Sequence, residues 1–265
     1  MSKKHMLRCR HKINTIILVP QVLKLFVFWF STHQQAHSFT FIAVGGAKTA
    51  TTLMQMAQQL QLPVYEGYGL SEATSVVSLN TPTHHKLGSV GKPLPHVQIK
   101  LMADGELAVK GAACIGYYDM DCSSNRDSEG YWMTGDIGYM DNEGYLYLLG
   151  RKKNLIITGL GRNISPEWLE AEFCAEAEVA QAAVLCYEGS ANIVAVIVSS
   201  QPQIEANAVL SRVNSRLPSF ANVSSVILAN TPFSHHNGQL SQGGQPIRLV
   251  IQNHYQPIGA NNDPI

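Results

Sequence analysis

Tyr131-Trp132-Met133-Thr134-Gly135-Asp136-Ile137-Gly138, then Glu143-Gly144-Tyr145-Leu146-Tyr147-Leu148-Leu149-Gly150-Arg151-Lys152-Lys153-Asn154, and then Asn163-Ile164-Ser165-Pro166-Glu167 form the stretch around which the chain is organised. Thr134-Gly135-Asp136 sets a carboxylate on a tight turn. Asp141-Asn142-Glu143-Gly144 reads as a hairpin-type turn, and Tyr145, Tyr147 and Leu149 follow it in period-two alternation. Gly150-Arg151-Lys152-Lys153 is a basic joint, with a second apolar run, Leu155, Ile156 and Ile157, beyond it. An acid and an arginine fifteen positions apart, joined by a hairpin, can converge on one ligand that carries both hydroxyls and phosphate.

Upstream of this stretch, strand and helix patterns alternate. Phe39–Val44 is an apolar strand ending in Gly45-Gly46-Ala47-Lys48-Thr49, and Leu53, Met56, Ala57 and Leu60 have helical spacing. Val64-Tyr65 opens another strand, ending in Glu66-Gly67-Tyr68-Gly69-Leu70-Ser71-Glu72. Strands separated by helices predict a parallel sheet, whose ligands gather at the carboxyl ends of its strands. From Thr81 to Leu149 short β-like runs separated by glycine and proline turns predict antiparallel β structure, either a small barrel or a distorted sheet. After Arg151 come a strand (Leu155–Thr158), a Gly159-Leu160-Gly161 turn and a helix with Ser165 as cap and Pro166 in its first position. Strands over Val179–Tyr187, Ile193–Val198 and Val223–Leu228, and a helix over Ala206–Leu217, complete the pattern.

The expected fold class is α/β plus β. Residues 1–150 read as the C-terminal part of a large α/β domain (α/β to about 80, β-rich over 81–150), residues 151–252 as a small mobile α+β domain, and 253–265 as a disordered tail. The run Ile13–Phe30 is close to the length of a membrane span and follows basic residues, but Pro20 and Lys24 interrupt it. A strand leading through Pro20 into a buried helix accounts for the same residues.

Nineteen basic and nineteen acidic residues give no net charge, so there is no electrostatic case for nucleic-acid binding. Charged residues are only 14% of the chain, which suggests a domain that lacks some of its natural surface or one that packs against something else. The five cysteines are scattered without a C-x-x-C pair, and the ten histidines lack ligand spacing, so neither a disulfide framework nor a zinc site is expected. Reduced thiols point to the cytoplasm, with peripheral association to a membrane as an additional expectation.

Several residues could carry chemistry. Lys48-Thr49 sits between a strand and a helix, but the spacing fails the phosphate-loop pattern. What remains is a Gly45-Gly46 turn, which reads equally as bare backbone that lets a planar group approach or as a tight turn that needs positive φ. Tyr68-Gly69-Leu70-Ser71-Glu72 offers an aromatic face, a hydroxyl and a carboxylate within five residues. Taken singly, Tyr68 reads as core, Glu72 as exposed, Asp136 as a turn residue and Arg151 as a surface charge.

Taken in order, the segments resemble the adenylate-forming (AMP-binding) acyl- and aryl-CoA synthetases. The matching residues are Gly45-Gly46-Ala47, Tyr65 to Glu72, Gly91-Lys92-Pro93, Thr134-Gly135-Asp136, Gly150 to Lys153, Gly161 to Glu167 and Asn237-Gly238-Gln239-Leu240-Ser241, spanning about residues 13 to 250. The wording of residues 150–170 looks closest to long-chain fatty-acid-type members. The resemblance implies an acid–thiol ligase: ATP converts a carboxylate, here a fatty acid, into an acyl-adenylate, and coenzyme A or a carrier-protein thiol displaces AMP. It places Gly45, Gly46 and Ala47 along the adenine and acyl pockets, with Gly67, Tyr68 and Gly69 against the nucleotide. Ser71 would touch the α-phosphate, Glu72 would hold Mg²⁺, and Asp136 and Arg151 would bind the ribose and phosphate. Lys153 would be the pivot between half-reactions, and Gly159, Leu160 and Gly161 would line the thiol tunnel.

The sequence departs from the family in two places. The family's phosphate loop with its lysine has no counterpart here, as though the chain began partway through the large domain, and a partner chain could supply that part. The family's adenylating lysine also falls in the run Ser241-Gln242-Gly243-Gly244-Gln245, at Gln245. A neutral amide cannot supply that charge, and losing one such donor costs about a hundred- to a thousand-fold in rate. A non-catalytic remnant and a module that binds AMP or acyl-adenylate are therefore the expected alternatives to an active ligase.

Overall fold

The computed structural model describes residues 13–33, 36–111, 125–158, 161–187 and 192–255. The chain divides into two compact units, Met1–Lys152 and Lys153–Ile265.

In the first unit β1 (Thr15–Leu18), β2 (Phe41–Val44) and β3 (Val64–Tyr68) run parallel in that order, and β4 (Ser78–Leu79) and β5 (Lys92–Pro93) extend the sheet antiparallel. α1 (Pro20–His33) and α2 (Thr51–Gln59) are the crossovers. Pro20 occupies the first helical position, where its missing N–H costs nothing. The apolar run Ile13–Phe30 is thus a strand and most of a helix. At 14 residues α1 is about 21 Å long, and among the described residues no helix is long and apolar enough to cross a membrane.

The β-rich region is a four-stranded antiparallel sheet of β6 (Gln98–Leu101), β7 (Glu106–Lys110), β8 (Trp132–Met140) and β9 (Leu146–Arg151). Register shifts between Glu106 and Ala108 and between Ile137 and Gly138 distort it. Among the described residues, the distorted sheet is the form present of the two expected. One apolar cluster ties this sheet to the end of β3: Tyr68, Leu70, Ala73 and Val77 pack with Leu107, Val109, Trp132 and Leu146.

The second unit opens with a two-stranded pair, β10 (Ile156–Ile157) and β11 (Asn163–Ile164), followed by α3 (Pro166–Ala175). Ser165 caps α3 by accepting the Trp168 amide at 3.2 Å, with Pro166 directly after it, as the local sequence predicts. β12 (Val179–Cys186) pairs antiparallel with β13 (Ile193–Ser199), and β13 pairs parallel with β14 (Ser225–Leu228). β13 is apolar at nearly every position because both faces of the sheet are covered. Ala195 and Ile197 lie in the core with α3 and α4 (Ala206–Asn214), while Val196 and Val198 pack with Phe233, Ile251 and Tyr255.

The second layer includes α5 (Arg248–His254), which the sequence reading misses, and it corrects the expected tail from residue 253. Ile251 is fully buried, Tyr255 is 6% exposed, and the Tyr187 hydroxyl donates to the Tyr255 carbonyl, so burial anchors the chain at least this far.

Candidate active site

The carboxyl ends of β2 and β3 carry most of the expected site. Gly45 follows β2, and a side chain there would meet the Gly67 carbonyl of β3 at 3.0 Å. Gly46 has φ +83°, the left-handed region that favours glycine. Ser71 and Glu72 begin the 3₁₀ turn Ser71–Ala73 just beyond β3. Gly69 is fixed by packing: a Cβ would lie 1.4 Å from the Ser75 carbonyl oxygen.

Three of the expected residues meet directly. Asp136 and Arg151 are paired across the β8–β9 hairpin, and Arg151 Nε lies 2.9 Å from Asp136 Oδ1. The Tyr68 hydroxyl donates to Asp136 Oδ2 at 2.6 Å. Asp136 is buried, whereas the Arg151 side chain is 48% exposed and places a cation at the rim. Burial raises the Tyr68 phenol above its ordinary pKa, and the Asp136 charge adds to that shift, so the phenol stays a proton donor. Tyr68 is itself 8% exposed within the apolar cluster, so its hydroxyl positions Asp136.

The turn that carries Asp136 is held from behind. The Thr134 hydroxyl donates to the Leu107 carbonyl at 2.7 Å and accepts the Asp136 amide at 3.1 Å. The buried Glu106 carboxylate accepts the Gly135 amide at 2.9 Å, and Gly135 has φ +70°. Arg151 also donates to the Thr134 carbonyl at 2.9 Å.

Sequence reasoning did not single out Glu106. It missed Glu66 as well, which is 4% exposed on β3 and accepts the Thr49 amide at 3.3 Å, tying the loop after β2 to β3. Burial raises the Glu66 carboxyl above the usual carboxylate range, opposed by the Lys48 charge and the Thr49 hydrogen bonds. The only sequence signal for either was an acid inside an otherwise apolar strand.

The remaining expected residues belong to the second unit. Lys153 is exposed and begins the second unit. Gly159 and Leu160 lie outside the described residues, and Gly161 adopts φ +73°. Gln245 is exposed on a tight turn: its amide donates to Ser241 Oγ at 3.1 Å and its carbonyl accepts the Ser241 amide at 2.9 Å. Among the described residues no cluster of three or more His, Cys, Asp or Glu could alone hold a metal ion. A single carboxylate, Glu72, beside the Ser71 hydroxyl at a strand end still suits Mg²⁺, which keeps most of its waters and takes only one or two protein carboxylates beside phosphate.

Residues 3–118 match the AMP-binding enzyme family model. The 2-succinylbenzoate–CoA ligase of Bacillus velezensis is 36% identical over 187 residues, covering 66% of this chain and 38% of that protein. A long-chain-fatty-acid–CoA ligase of Mycobacterium bovis is 36% identical over 143 residues, covering 53% of this chain and 24% of that one. The structure of O-succinylbenzoate CoA synthetase from Bacillus subtilis with AMP aligns with a TM-score of 0.74 and 28% identity over 91% of this chain and 51% of that one. The same enzyme with ATP and a magnesium ion aligns with a TM-score of 0.72. The chain spans about half the length of these solved relatives and less of the curated ones. Over residues 3–118 the chain is similar to the AMP-binding enzymes, and its fold aligns with that of the Bacillus subtilis synthetase.

Proposed function

We propose that this chain carries the AMP half-site of an adenylate-forming acid–CoA ligase, which joins a carboxylic acid to a thiol by way of an acyl-adenylate. The observation that supports this best is the buried Tyr68–Asp136–Arg151 constellation at the carboxyl end of β3, with a cation at its rim. Asp136 would accept the ribose hydroxyls and Arg151 would meet the ribose or phosphate. Ser71 would bind the α-phosphate, and Gly45, Gly46, Ala47, Gly67 and Gly69 would give the nucleotide and acyl group close backbone approach. Glu72 would hold Mg²⁺, which when bound offsets charge developing on the phosphate oxygens. In the second unit Lys153 would be the pivot between half-reactions, with Gly159, Leu160 and Gly161 along the path of coenzyme A or a carrier thiol. By this assignment residues 1–150 are nucleotide-binding, and the mobile domain runs from 151 through at least Tyr255.

The relatives' names divide between an aryl and a fatty acid. The 150–170 segment, with its Gly150-Arg151-Lys152-Lys153 joint, favours a fatty acid for this chain. We place Gln245 at the adenylating lysine position, so the chain alone would adenylate slowly or not at all. A second reading is a nucleotide-binding module completed by a partner chain. It draws support from β1, an edge strand whose Ile17 is 81% exposed.

The test is thermal: AMP or an acyl-sulfamoyl-adenosine should raise the melting temperature, and Asp136→Ala should remove the shift. No shift in the unmodified chain would favour a non-catalytic remnant. Robust carboxylate-dependent ATP–pyrophosphate exchange by the isolated chain would sink the assignment of Gln245.

A further inference from the structure

The Thr134-Gly135-Asp136 turn interrupts the pairing of β8 with β7. Ala108 pairs with Met133 and Glu106 with Ile137, so Thr134, Gly135 and Asp136 together face Leu107 alone. A bulge of this kind takes backbone amides off the ladder and re-aims the side chains it carries. Side chains take the place of the missing partners. The Thr134 hydroxyl accepts the Asp136 amide at 3.1 Å, and Glu106 Oε1 accepts the Gly135 amide at 2.9 Å.

Charge holds the peptide unit between Thr134 and Gly135 at both ends. Its carbonyl oxygen accepts Arg151 Nη1 at 2.9 Å, and its N–H donates to the Glu106 carboxylate. Gly135, at φ +70°, has the backbone freedom that lets such a plane turn over. Turning it would present oxygen to the carboxylate and N–H to the guanidinium. Both bonds would be lost, and with them the backbone setting from which Asp136 projects.

Glu106 is only 6% exposed, and a buried carboxylate is a costly way to satisfy one amide. Its second oxygen lies 2.8 Å from Lys152 Nζ, which also reaches Asp104 at 2.6 Å. The two consecutive cations at the end of β9 therefore divide between two buried acids, Arg151 to Asp136 and Lys152 to Glu106. The two pairs differ in what a nucleotide would do to them. Arg151 stands at the rim, where a phosphate competes for it, whereas Glu106 bonds the turn from behind. We propose that Glu106, backed by Lys152, is a positioning residue for ribose recognition. It holds the Thr134–Gly135 peptide when phosphate draws Arg151 from the carbonyl, and so keeps Asp136 aimed at the sugar hydroxyls. This rests on the reading of Asp136 as the ribose acceptor.

Calorimetric titration of the full chain with AMP and with dideoxy-AMP, which lacks both ribose hydroxyls, isolates the ribose contribution. The unmodified chain should bind AMP the more tightly. Glu106→Ala should weaken AMP binding by about tenfold, the worth of one charge-assisted hydrogen bond, and leave dideoxy-AMP binding within about twofold. Glu106→Gln, whose side-chain oxygen can still accept the Gly135 amide, should recover most of the AMP affinity. Lys152→Met alters an exposed side chain and keeps the test open should Glu106→Ala fail to fold. It should weaken AMP selectively, by about threefold. Equal weakening of both nucleotides would assign Glu106 to the fold alone and overturn the proposal, as would an AMP affinity unchanged in both Glu106→Ala and Lys152→Met. Were the unmodified chain to bind both nucleotides alike, or neither, the ribose reading of Asp136 would fall and the proposal with it, a result distinct from the other two.

Discussion

At the residue scale, what could be read depended on whether a residue's partner lay nearby in sequence. Asp136 and Arg151 were legible because a short hairpin with an Asp-Asn-Glu-Gly turn places them opposite each other. The Tyr68–Asp136 bond spans 68 positions, and the Glu106–Gly135 bond crosses between strands, so no local pattern announces either. Gly69 is a different case, a residue expected to let a ligand approach at which packing also demands glycine. Gly69→Ala would drive a Cβ to 1.4 Å from the Ser75 carbonyl, a backbone atom that cannot rotate away. The loss should reach the upper end of the roughly 1–3 kcal/mol that overpacking costs. Gly88→Ala is the control, since its φ is +82° but nothing lies within 4 Å of the added methyl. Urea midpoints should fall distinctly further for Gly69→Ala; equal midpoints would show that the loop can yield.

At the element scale, the β-rich region holds the same turn twice, as Asp127-Ser128-Glu129-Gly130-Tyr131 and Asp141-Asn142-Glu143-Gly144-Tyr145. In each, one aspartate oxygen accepts the amides two and four residues on, at 2.9–3.0 Å. In each, a lysine from an earlier segment (Lys100 or Lys86) bonds the aspartate and glutamate and lies 5.3 Å from the tyrosine ring centre. The glycines announced both turns, but the lysines, 27 and 55 residues upstream of their aspartates, were invisible. The Lys86 hydrogen bond and the turn amides hold the Asp141 carboxyl down to about 2. A carboxyl lowered in the folded state contributes stability that is complete above its unfolded pKa of about 3.9 and is lost as pH falls through the folded value. Asp141→Asn should therefore flatten the acid limb of the stability curve between about pH 4 and 2, with little change in slope near neutrality. A carbon-13 titration that found Asp141 at an ordinary aspartate value would refute this.

Glu170 has the opposite sign. Burial raises its carboxyl to about 7 despite Arg248, so between its unfolded value and 7 the folded protein binds the extra proton. Stability should therefore fall as pH rises from about 4.3 through 7, and Glu170→Gln should lose that slope. Chemical-denaturation curves at pH 5 and 7.5 check it; a slope unchanged in Glu170→Gln would assign the pH dependence elsewhere.

At the scale of the whole molecule, β alternation stops at Arg151 and helix–strand alternation resumes, while the two compact units divide between Lys152 and Lys153. The apolar run at the start of the chain was legible as strand and helix but not in its exposure, which depends on what lies beyond the sheet edge. Ile17 on β1 and Leu25 on α1 are 81% and 68% exposed, and Ile13, Val19 and Val22 add to the same region. Parallel strands are ordinarily covered on both faces, and a bare apolar edge invites pairing with another chain. The isolated chain should therefore self-associate as its concentration rises. The double substitution Ile17→Lys, Leu25→Lys should lower the associated fraction in sedimentation velocity and leave the AMP-induced melting shift unchanged, since neither residue contributes to the Tyr68–Asp136–Arg151 site. Single alterations at these exposed positions cost little folding stability, so loss of fold is not the expected confounder. If the unmodified chain stayed monomeric at high concentration, the edge would be an ordinary solvated surface, and the reading of a module completed by a partner chain would lose its structural support.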